Sequence, residues 1–299
     1  MSAVSKTADD MDVSHAAVES PEVAIVIPCY RYAEMLPDAV ASAAAQTWSN
    51  LRIVIVDDGS PDDTAAVANE LIARYPERRI ELLRQQNQGL AAARNAGIRA
   101  TDSAFVLPLD ADDQLEPDSV ATLLRTLRET GADVATPNGR TFGDEDKPLI
   151  TQPVTKRRLA ANNCLIYSSM YRRELFDRIG GYGPTVPGYE DWDFWLSALE
   201  LKARFIHVTA PLFRYRKHGA TMLSVADRQA MRLFATIASN HPGLFAPWRV
   251  RLAKRLLAAG EAASVWLRLG MLATFLIDRR LRLFVRQLRA LRATNMLST

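Results

Sequence analysis

Four mostly apolar runs alternate with amphipathic stretches in the first 110 residues of the chain. Each run is bounded by Pro, Asp, Gly or other turn-forming residues and predicts a β-strand. The predicted strands are Val23–Ile27, Leu51–Val56, Arg79–Leu83 and Ala104–Leu109. The helices predicted between them are Glu34–Gln46, Asp62–Tyr75 and Gly89–Ala100. Buried strands separated by helices favour an α/β fold with a mainly parallel sheet covered on both faces.

The second half of the sequence has weaker periodicity. Asp133–Thr136 and Cys164–Met170 predict short strands, whereas Pro137–Asn163 is polar without a clear period and is predicted to be irregular. Arg172–Ile179 predicts a short helix. Gly180–Gly188 holds four glycines and two prolines, and such a loop is either a tight crossover or a mobile segment beside a site.

An aromatic and acidic helix follows this loop. Trp192, Trp195, Leu196 and Leu199 share one helical face, so the segment that begins near Tyr189 predicts an amphipathic helix. Its first turn carries Glu190-Asp191 and, two residues later, another aspartate. The helix dipole favours acidic residues at a helix start, so a structural role alone would explain these residues. A catalytic carboxylate is the alternative interpretation.

The C-terminal segment predicts helices that carry a strong basic character. Val225–Ser239 predicts one helix, and residues 248–292 predict two or three more. In the last, the positions Ile277, Leu281, Phe284, Leu288 and Leu291 form an apolar stripe opposite four arginines. This helix would pack on the preceding α/β domain or a second subunit, lie on a membrane surface, or bind nucleic acid; the sparse aromatic content gives the last alternative no specific support.

The C-terminal segment also differs from the rest of the chain in net charge. From Leu244 onward the chain holds eleven Lys/Arg and two acidic residues, a net charge of +9. Since the whole chain has a net charge of +3, the residues before Leu244 have a net charge of −6. The basic segment predicts an anionic partner. Ala262–Ile277 is too short for a bilayer span and contains Arg268. The two cysteines predict neither a disulfide framework nor a zinc site, and we expect a reducing cytosol.

Polar residues follow the predicted strands where a parallel sheet binds ligands. Asp57-Asp58-Gly59-Ser60 ends the second strand, and Asp110, Asp112 and Asp113 end the fourth. Two carboxylates in an Asp-x-Asp spacing can hold Mg²⁺ or Mn²⁺, which in turn can hold a diphosphate. The alternative is a solvated turn that caps the helix starting near Pro117. Neither a Gly-x-Gly-x-x-Gly nor a Walker A sequence is present.

These segments resemble a known family in order and spacing. Val-Ala-Ile-Val-Ile-Pro-Cys-Tyr, Gln-Thr-Trp, Val-Asp-Asp-Gly-Ser, Asn-Gln-Gly-Leu-Ala-Ala-Ala-Arg-Asn and Leu-Asp-Ala-Asp-Asp together look like family 2 of the inverting glycosyltransferases, which have the GT-A fold. The resemblance covers roughly residues 23 to 220. It implies an α/β, Rossmann-like GT-A domain followed by a helical appendage.

The resemblance also implies six nucleotide-binding residues, which are Pro28, Tyr30, Asp58, Asn87, Arg94 and Asp110. Pro28 and Tyr30 would line the base pocket, and Asp58 would accept a hydrogen bond from the base. Arg94 would lie near the phosphates, since its planar fork suits them. Asp110 would face the ribose or sugar.

For the catalytic and metal sites, the resemblance implies Asp191 as the base that deprotonates the acceptor hydroxyl, with Glu190 as the second choice and Asp193 as the third. Asp112 and His218 would hold the metal. Arg214 and Arg216 would be neighbours of the phosphates. No Gln-x-x-Arg-Trp segment of processive synthases is present, which favours transfer of single sugars.

The sequence therefore predicts a metal-dependent inverting glycosyltransferase with a nucleoside-diphosphate sugar as donor. The acceptor would be a surface glycan or a lipid-linked saccharide. We expect a flexible tail over residues 1–22, a GT-A domain over 23–222 and a basic helical region over 223–299. The enzyme would be cytoplasmic or peripheral on the inner face of the cell membrane, without nucleic acid as a partner. A non-catalytic protein of the same fold, which binds nucleotide sugar or is recruited to a membrane as a scaffold, is the alternative.

Overall fold

A computed structural model describes residues 20–219, 229–277 and 287–288 of the chain. Nine strands lie in this part: β1 (Val23–Cys29), β2 (Leu51–Asp57), β3 (Arg79–Arg84), β4 (Phe105–Pro108), β5 (Gln114–Leu115), β6 (Val134–Gly143), β7 (Pro148–Leu149), β8 (Met170–Arg172) and β9 (Phe205–Lys217). The helices are α1 (Leu36–Ala44), α2 (Thr64–Arg74), α3 (Leu90–Arg99), α4 (Ser119–Thr130), α5 (Lys156–Ala161), α6 (Arg173–Ile179), α7 (Glu190–Glu200), α8 (Ala230–Asn240), α9 (Pro247–Ala259) and α10 (Val265–Ile277).

The strands form one mixed sheet in the order β3-β2-β1-β4-β8-β6-β9-β5, with β7 paired to β6. β3, β2, β1 and β4 are parallel, as the apolar runs predict. β8 is antiparallel to both β4 and β6. The parallel half brings the carboxyl ends of β1, β2 and β4 to one edge, and the mixed half curls around that edge.

The two faces of the sheet bury different sets of side chains. Ala24 and Val26 of β1 belong to a core that includes α3, α7 and the helices after residue 229. Ile25 and Ile27 point to the opposite core with α1, α2 and α4. Every residue of β1 is buried, which explains why this strand is apolar throughout. Close packing is tightest at Gly97 of α3, where a Cβ atom would lie 2.4 Å from Cγ1 of Val26.

The prediction for residues 133–170 was partly wrong. The strand that starts near Asp133 continues to Gly143, and the region expected to be irregular also contains β7 and α5. Cys164–Met170 is not a strand, because only Met170 joins β8. Side chains satisfy its backbone instead: the Leu165 amide donates to Asn163 Oδ1, and the Ile166 amide donates to Thr136 Oγ1. Residues 164–169 therefore lead into β8 without belonging to a strand.

The longest strand, Phe205–Lys217, was missed by the sequence interpretation. Pro211 interrupts its pattern, and the structure accommodates this proline opposite Asn138, where the register between β6 and β9 shifts. Proline is tolerated at such an irregularity because the ladder hydrogen bond is already absent there. The strand brings residues 213–217 alongside the acidic turn that follows β4.

Helices α8, α9 and α10 pack on the face of the sheet that holds α7. Phe234 of α8 lies 5.9 Å from Trp192, measured between ring centroids, and Met271 and Leu272 of α10 are fully buried in the same core. Within the described residues, no helix has both the length and the apolar character needed to cross a bilayer. The predicted basic helix around Phe284 falls mostly outside the described residues, although Leu288 packs against this core.

Candidate active site

A cleft of about 1960 Å³ opens at the carboxyl ends of β1, β2 and β4. Nine of the ten predicted site residues line it, namely Pro28, Tyr30, Asp58, Asn87, Arg94, Asp110, Asp112, Glu190 and Asp191. The tenth, His218, contacts Asp112. A drug-sized ligand fills roughly 300–1,000 Å³, so this cleft has room for two reactants.

Asp58 at the end of β2 is buried and holds the neighbouring loop. Its Oδ1 accepts hydrogen bonds from Gln85 Nε2 at 2.7 Å and the Gln88 amide at 2.9 Å, and its Oδ2 accepts one from the Gly89 amide at 2.9 Å. Gly59 follows with φ +69°, and a Cβ atom there would lie 2.8 Å from the Asn87 nitrogen. The Asp58-Gly59 turn thus fixes Asn87 at the cleft wall.

The three aspartates after β4 differ in their surroundings. Asp113 is 1% exposed, and its oxygens accept from the Tyr167 hydroxyl at 2.6 Å and the Arg216 amide at 2.7 Å. Burial, with the charges of Asp112 and Asp110, raises the pKa of Asp113 well above its usual range. Asp113 therefore braces the turn, as a buried carboxyl with both oxygens engaged, and leaves its neighbours to face the cleft.

Asp112 pairs with the basic segment at the end of β9. Its Oδ2 lies 2.9 Å from His218 Nε2, and the ring of Tyr32 contacts His218 edge-on at 5.8 Å between centroids. Asp110, Asp112 and Asp113 each offer a carboxylate oxygen within 4.8 Å of the others. Carboxylate and imidazole groups are ligands of divalent cations, so Asp112 and His218, with Asp110 beside them, could hold one.

Glu190 and Asp191 begin α7 and face the same cleft with different partners. Glu190 is 4% exposed; its Oε1 accepts from Arg94 Nη1 at 2.8 Å and its Oε2 from the Gly188 amide at 2.7 Å. Asp191 is only partly buried, and Oδ2 accepts from Asn163 Nδ2 at 2.8 Å. Burial and the charge of Glu190 raise the pKa of Asp191 to about 6, against the lowering effect of Arg94.

Asp193 and the arginines of β9 lie away from the cleft. Asp193 Oδ1 accepts from Asn240 Nδ2 at 3.0 Å and lies 3.1 Å from His241 Nε2, so it joins α7 to α8. The guanidinium groups of Arg214 and Arg216 lie over the ring of Phe142, and Arg216 Nε donates to the Asp112 carbonyl at 2.7 Å. That these two arginines neighbour the phosphates stays a prediction.

Sequence reasoning missed several residues that organise the cleft. The Tyr167 hydroxyl accepts from the Asp110 amide at 2.9 Å and donates to Asp113. Asn163 holds Asp191, and Tyr182 lies beside Arg94 with its ring centroid 5.6 Å from the guanidinium carbon. Asn95 of α3 holds the Tyr182 backbone through two hydrogen bonds. None of these residues has a local pattern that would mark it.

Comparison with known proteins places these features in a family. The model of glycosyl transferase family 2 matches residues 24–185, more than half of the 299 residues. Chondroitin synthase of Escherichia coli is 30% identical over 225 residues, which make up 73% of this chain and 32% of that protein. The chain spans 66%, 32% and 65% of the length of three curated relatives, chondroitin synthase included.

Solved structures share the fold. S. aureus TarS in complex with UDP-GlcNAc has a TM-score of 0.60 and 20% identity over 74% of this chain and 67% of that one. The mannosyltransferase PcManGT from Pyrobaculum calidifontis, in complex with GDP-Man and Mn²⁺, has a TM-score of 0.56 and 18% identity over 89% of this chain and 85% of that one. These likenesses confirm the predicted GT-A fold.

Proposed function

Since this chain belongs to glycosyl transferase family 2, we propose that it transfers single sugars from a nucleoside-diphosphate sugar to an acceptor hydroxyl, with inversion at the anomeric carbon. The observation that carries the proposal is the position of Asp191. This carboxylate lines the same large cleft as Asp110 and Asp112 and has a pKa raised to about 6. A base with a pKa near the working pH is partly available as the carboxylate and still accepts a proton well.

The proposed reaction is a single displacement. An oxygen of Asp191 takes the proton from the acceptor hydroxyl while the hydroxyl oxygen forms a bond to the anomeric carbon. The bond from that carbon to the diphosphate oxygen breaks on the opposite side, and its electron pair leaves with the nucleoside diphosphate. Attack from the face opposite the leaving group inverts the configuration.

Asp191 is a better candidate for the base than Glu190 because of their partners. Glu190 is 4% exposed and forms an ion pair with the buried cation of Arg94. Asp191 accepts instead from neutral hydrogen-bond donors, which are Asn163 and the backbone amide of Trp192. It is also the more exposed of the two, so an acceptor can reach it.

The donor would lie across the ends of β1, β2 and β4. Pro28 and the partly exposed Tyr30 would flank the base, with Asn87 and Asp58 at the adjacent wall. Asp110 would face the ribose or sugar. Burial raises the pKa of Asp110 to about 6, while the charge of Arg94 lowers it.

Mg²⁺ or Mn²⁺ would be held by Asp112 and His218. When bound, such a cation neutralises the charge that develops on the leaving diphosphate. Two observations support the site. One is the contact between a carboxylate and an imidazole of this chain, and the other is the Mn²⁺ bound together with GDP-Man in the similar mannosyltransferase structure.

The acceptor side and the C-terminal helices suggest where the enzyme works. The cleft continues past Asp191 to Ile150 and the residues around Asn163, which would receive a surface glycan or a lipid-linked saccharide. α9 holds four basic residues and no acidic one, and Trp266 of α10 is 78% exposed. We therefore propose a GT-A domain over 23–222 whose basic helical region, 223–299, holds the cytoplasmic enzyme at an anionic membrane surface.

The proposal is tested by a panel of UDP-, GDP- and dTDP-sugars, with and without Mn²⁺. A donor that binds the native state raises the melting temperature, and the donor so identified is then assayed for transfer and for slow hydrolysis. The expected result is stabilisation by one class of donor, larger with Mn²⁺, together with turnover. Stabilisation without any turnover would favour the non-catalytic alternative, and no stabilisation by any donor would contradict the proposal.

A further inference from the structure

Arg94 is a buried cation in the wall of the cleft. The residue is 1% exposed. Its Nη2 donates to Asp110 Oδ1 at 2.7 Å, and its Nη1 donates to Glu190 Oε1 at 2.8 Å. Asp110 lies two residues after the end of strand β4, and Glu190 is the first residue of α7. One guanidinium therefore joins the two sides of the cleft, across 96 positions of sequence in the case of Glu190.

The surroundings of Arg94 leave its guanidinium little freedom. Its central carbon lies 5.1 Å from the ring centroid of Tyr167 and 5.6 Å from that of Tyr182. Tyr167 braces the acidic turn through Asp113, and Asn95, next to Arg94 in the sequence, fixes the backbone of Tyr182. Both rings are thus anchored to elements that form the cleft.

A phosphate would have little access to this side chain, which is 1% exposed and whose Nε atom is buried without a hydrogen-bond partner. Both terminal nitrogens already donate to carboxylates of the protein, and the cation is buried behind them. Separating either carboxylate from it would leave a buried charge without compensation, which is costly. This arrangement suits a fixed structural link better than a contact with a donor that binds and leaves at every turnover.

We propose that Arg94 is a positioning residue: by holding Glu190 against Asp110, it fixes the start of α7 and aims Asp191 at the acceptor. The proposal rests on the proposed role of Asp191 as the base. Glu190 carries the link onward, because its second oxygen accepts the Gly188 amide at 2.7 Å and so also fixes the end of the glycine-rich loop. The charge of Arg94 additionally lowers the pKa of Asp191, against the raising effects of burial and Glu190.

Arg94→Lys separates positioning from donor binding. Lysine keeps the positive charge, but its compact ammonium group lacks the planar fork with which arginine donates to both Asp110 and Glu190. We expect kcat to fall about tenfold or more, with the donor Kd changed by no more than about threefold. The matched control is Arg99→Lys on the exposed side of the same helix, whose guanidinium reaches Gly180 but neither acidic residue; its kcat should stay near that of the wild type. An equal loss in kcat and donor affinity for Arg94→Lys, or no loss at all, would overturn the proposal.

Amide hydrogen exchange provides a test that does not depend on transfer. In Arg94→Lys, we expect exchange over residues 186–192 to accelerate about tenfold or more, with β2 and β3 unchanged. Unchanged exchange over residues 186–192 would overturn the link to α7 even if the wild-type protein shows no transfer, an outcome that would itself contradict only the proposed function.

A second variant, in which Arg94 and Glu190 are both replaced by neutral residues, tests the proposal if Arg94→Lys fails to fold. The double variant Arg94→Gln/Glu190→Gln removes both charges of the buried Arg94–Glu190 ion pair and keeps similar side-chain volumes. Asp110 also loses its cationic partner, but its side chain is 24% exposed and can be solvated from the cleft. The double variant should fold, bind donor and retain a low kcat with rapid exchange at the start of α7. Wild-type kcat in this double variant would overturn the proposal, because it would show that the ion pair is not needed.

Discussion

Asn163 Nδ2 donates to Asp191 Oδ2 at 2.8 Å, although the two residues lie 28 positions apart. Asn163 follows α5, in the region that was predicted to be irregular, whereas Asp191 belongs to the first turn of α7. The other oxygen of Asp191 accepts from a backbone amide, that of Trp192. The Asn163 amide therefore directs one carboxylate oxygen and stabilises the ionised form of Asp191.

Asn163→Ala should impair the base without removing it. Loss of a hydrogen bond to a charged group costs about 1.5–3 kcal/mol, so we expect kcat to fall about tenfold or more. The acidic limb of the kcat profile should move to higher pH, since the hydrogen bond from Asn163 lowers the pKa of Asp191. Steady-state kinetics at saturating donor across pH measures both effects, and a variant with the wild-type profile would show that Asn163 does not act on the base.

The pH dependence of the wild-type enzyme follows from the raised pKa of Asp191. The base must be ionised to accept a proton, and its pKa lies at about 6. We expect kcat to be level above that pH and to fall about tenfold per pH unit below it. Measurement of kcat at saturating donor and acceptor reports the ionisations of the enzyme–substrate complex. A kcat that is constant down to about pH 4, the usual range of an aspartate, would contradict this assignment.

Asp112 and Asp113 should respond differently to substitution. Asp112→Ala removes a proposed metal ligand, and we expect nucleotide affinity in Mn²⁺ to fall about tenfold or more, to the level seen without metal. Asp113→Ala removes the partner of Tyr167 and of the Arg216 amide, and should instead lower the free energy of unfolding by about 1–3 kcal/mol. Calorimetry with and without Mn²⁺, combined with denaturant unfolding, distinguishes the two. The reverse pattern would show that the roles are exchanged.

Membrane attachment should depend on the exposed face of α9. Three exposed residues share one face of this helix, because Arg251 and Arg255 follow Trp248 by three and seven positions. We expect the full-length protein to float with vesicles that contain anionic lipid and not with neutral vesicles. Arg251→Ser/Arg255→Ser should weaken binding by ~2 kcal/mol, about thirtyfold.

Arg125→Ser on the exposed face of α4 is the matched control for this experiment. Its flotation should equal that of the wild type. Equal flotation of the wild type with both kinds of vesicle, or no flotation with either, would contradict a charged membrane contact. A stable dimer that does not bind vesicles would support the alternative in which the C-terminal region packs against a second subunit.

The parallel half of the fold could be predicted from the sequence because each of its strands is a local pattern. β1 and β2 are buried on both faces, so nearly every residue is apolar. The ligand edge followed from the same logic, since the carboxyl ends of parallel strands meet. Family resemblance supplied the residue roles there, and the cleft brings those residues together.

The mixed half could not be predicted, because its structure depends on contacts between distant segments. β9 tolerates Pro211 only because the register with β6 shifts there. Asn163 and Tyr167 belong to a stretch whose backbone is satisfied by side chains rather than by a ladder. The family resemblance placed Arg94 near the phosphates. Its ion pair with Glu190 could not be predicted, because the two residues lie 96 positions apart.

The central claim is that Asp191 removes the acceptor proton. Asp191→Asn keeps the size of the side chain but removes its ability to act as a base. The most direct measurement determines kcat for sugar transfer and the Kd of the donor on the same preparation, with wild-type protein as the reference. We predict that kcat falls about 10²–10⁴-fold, the usual contribution of a general base, while the donor Kd changes by no more than about threefold. A variant that still transfers sugar at the wild-type rate, or that loses donor binding as severely as transfer, would contradict the claim.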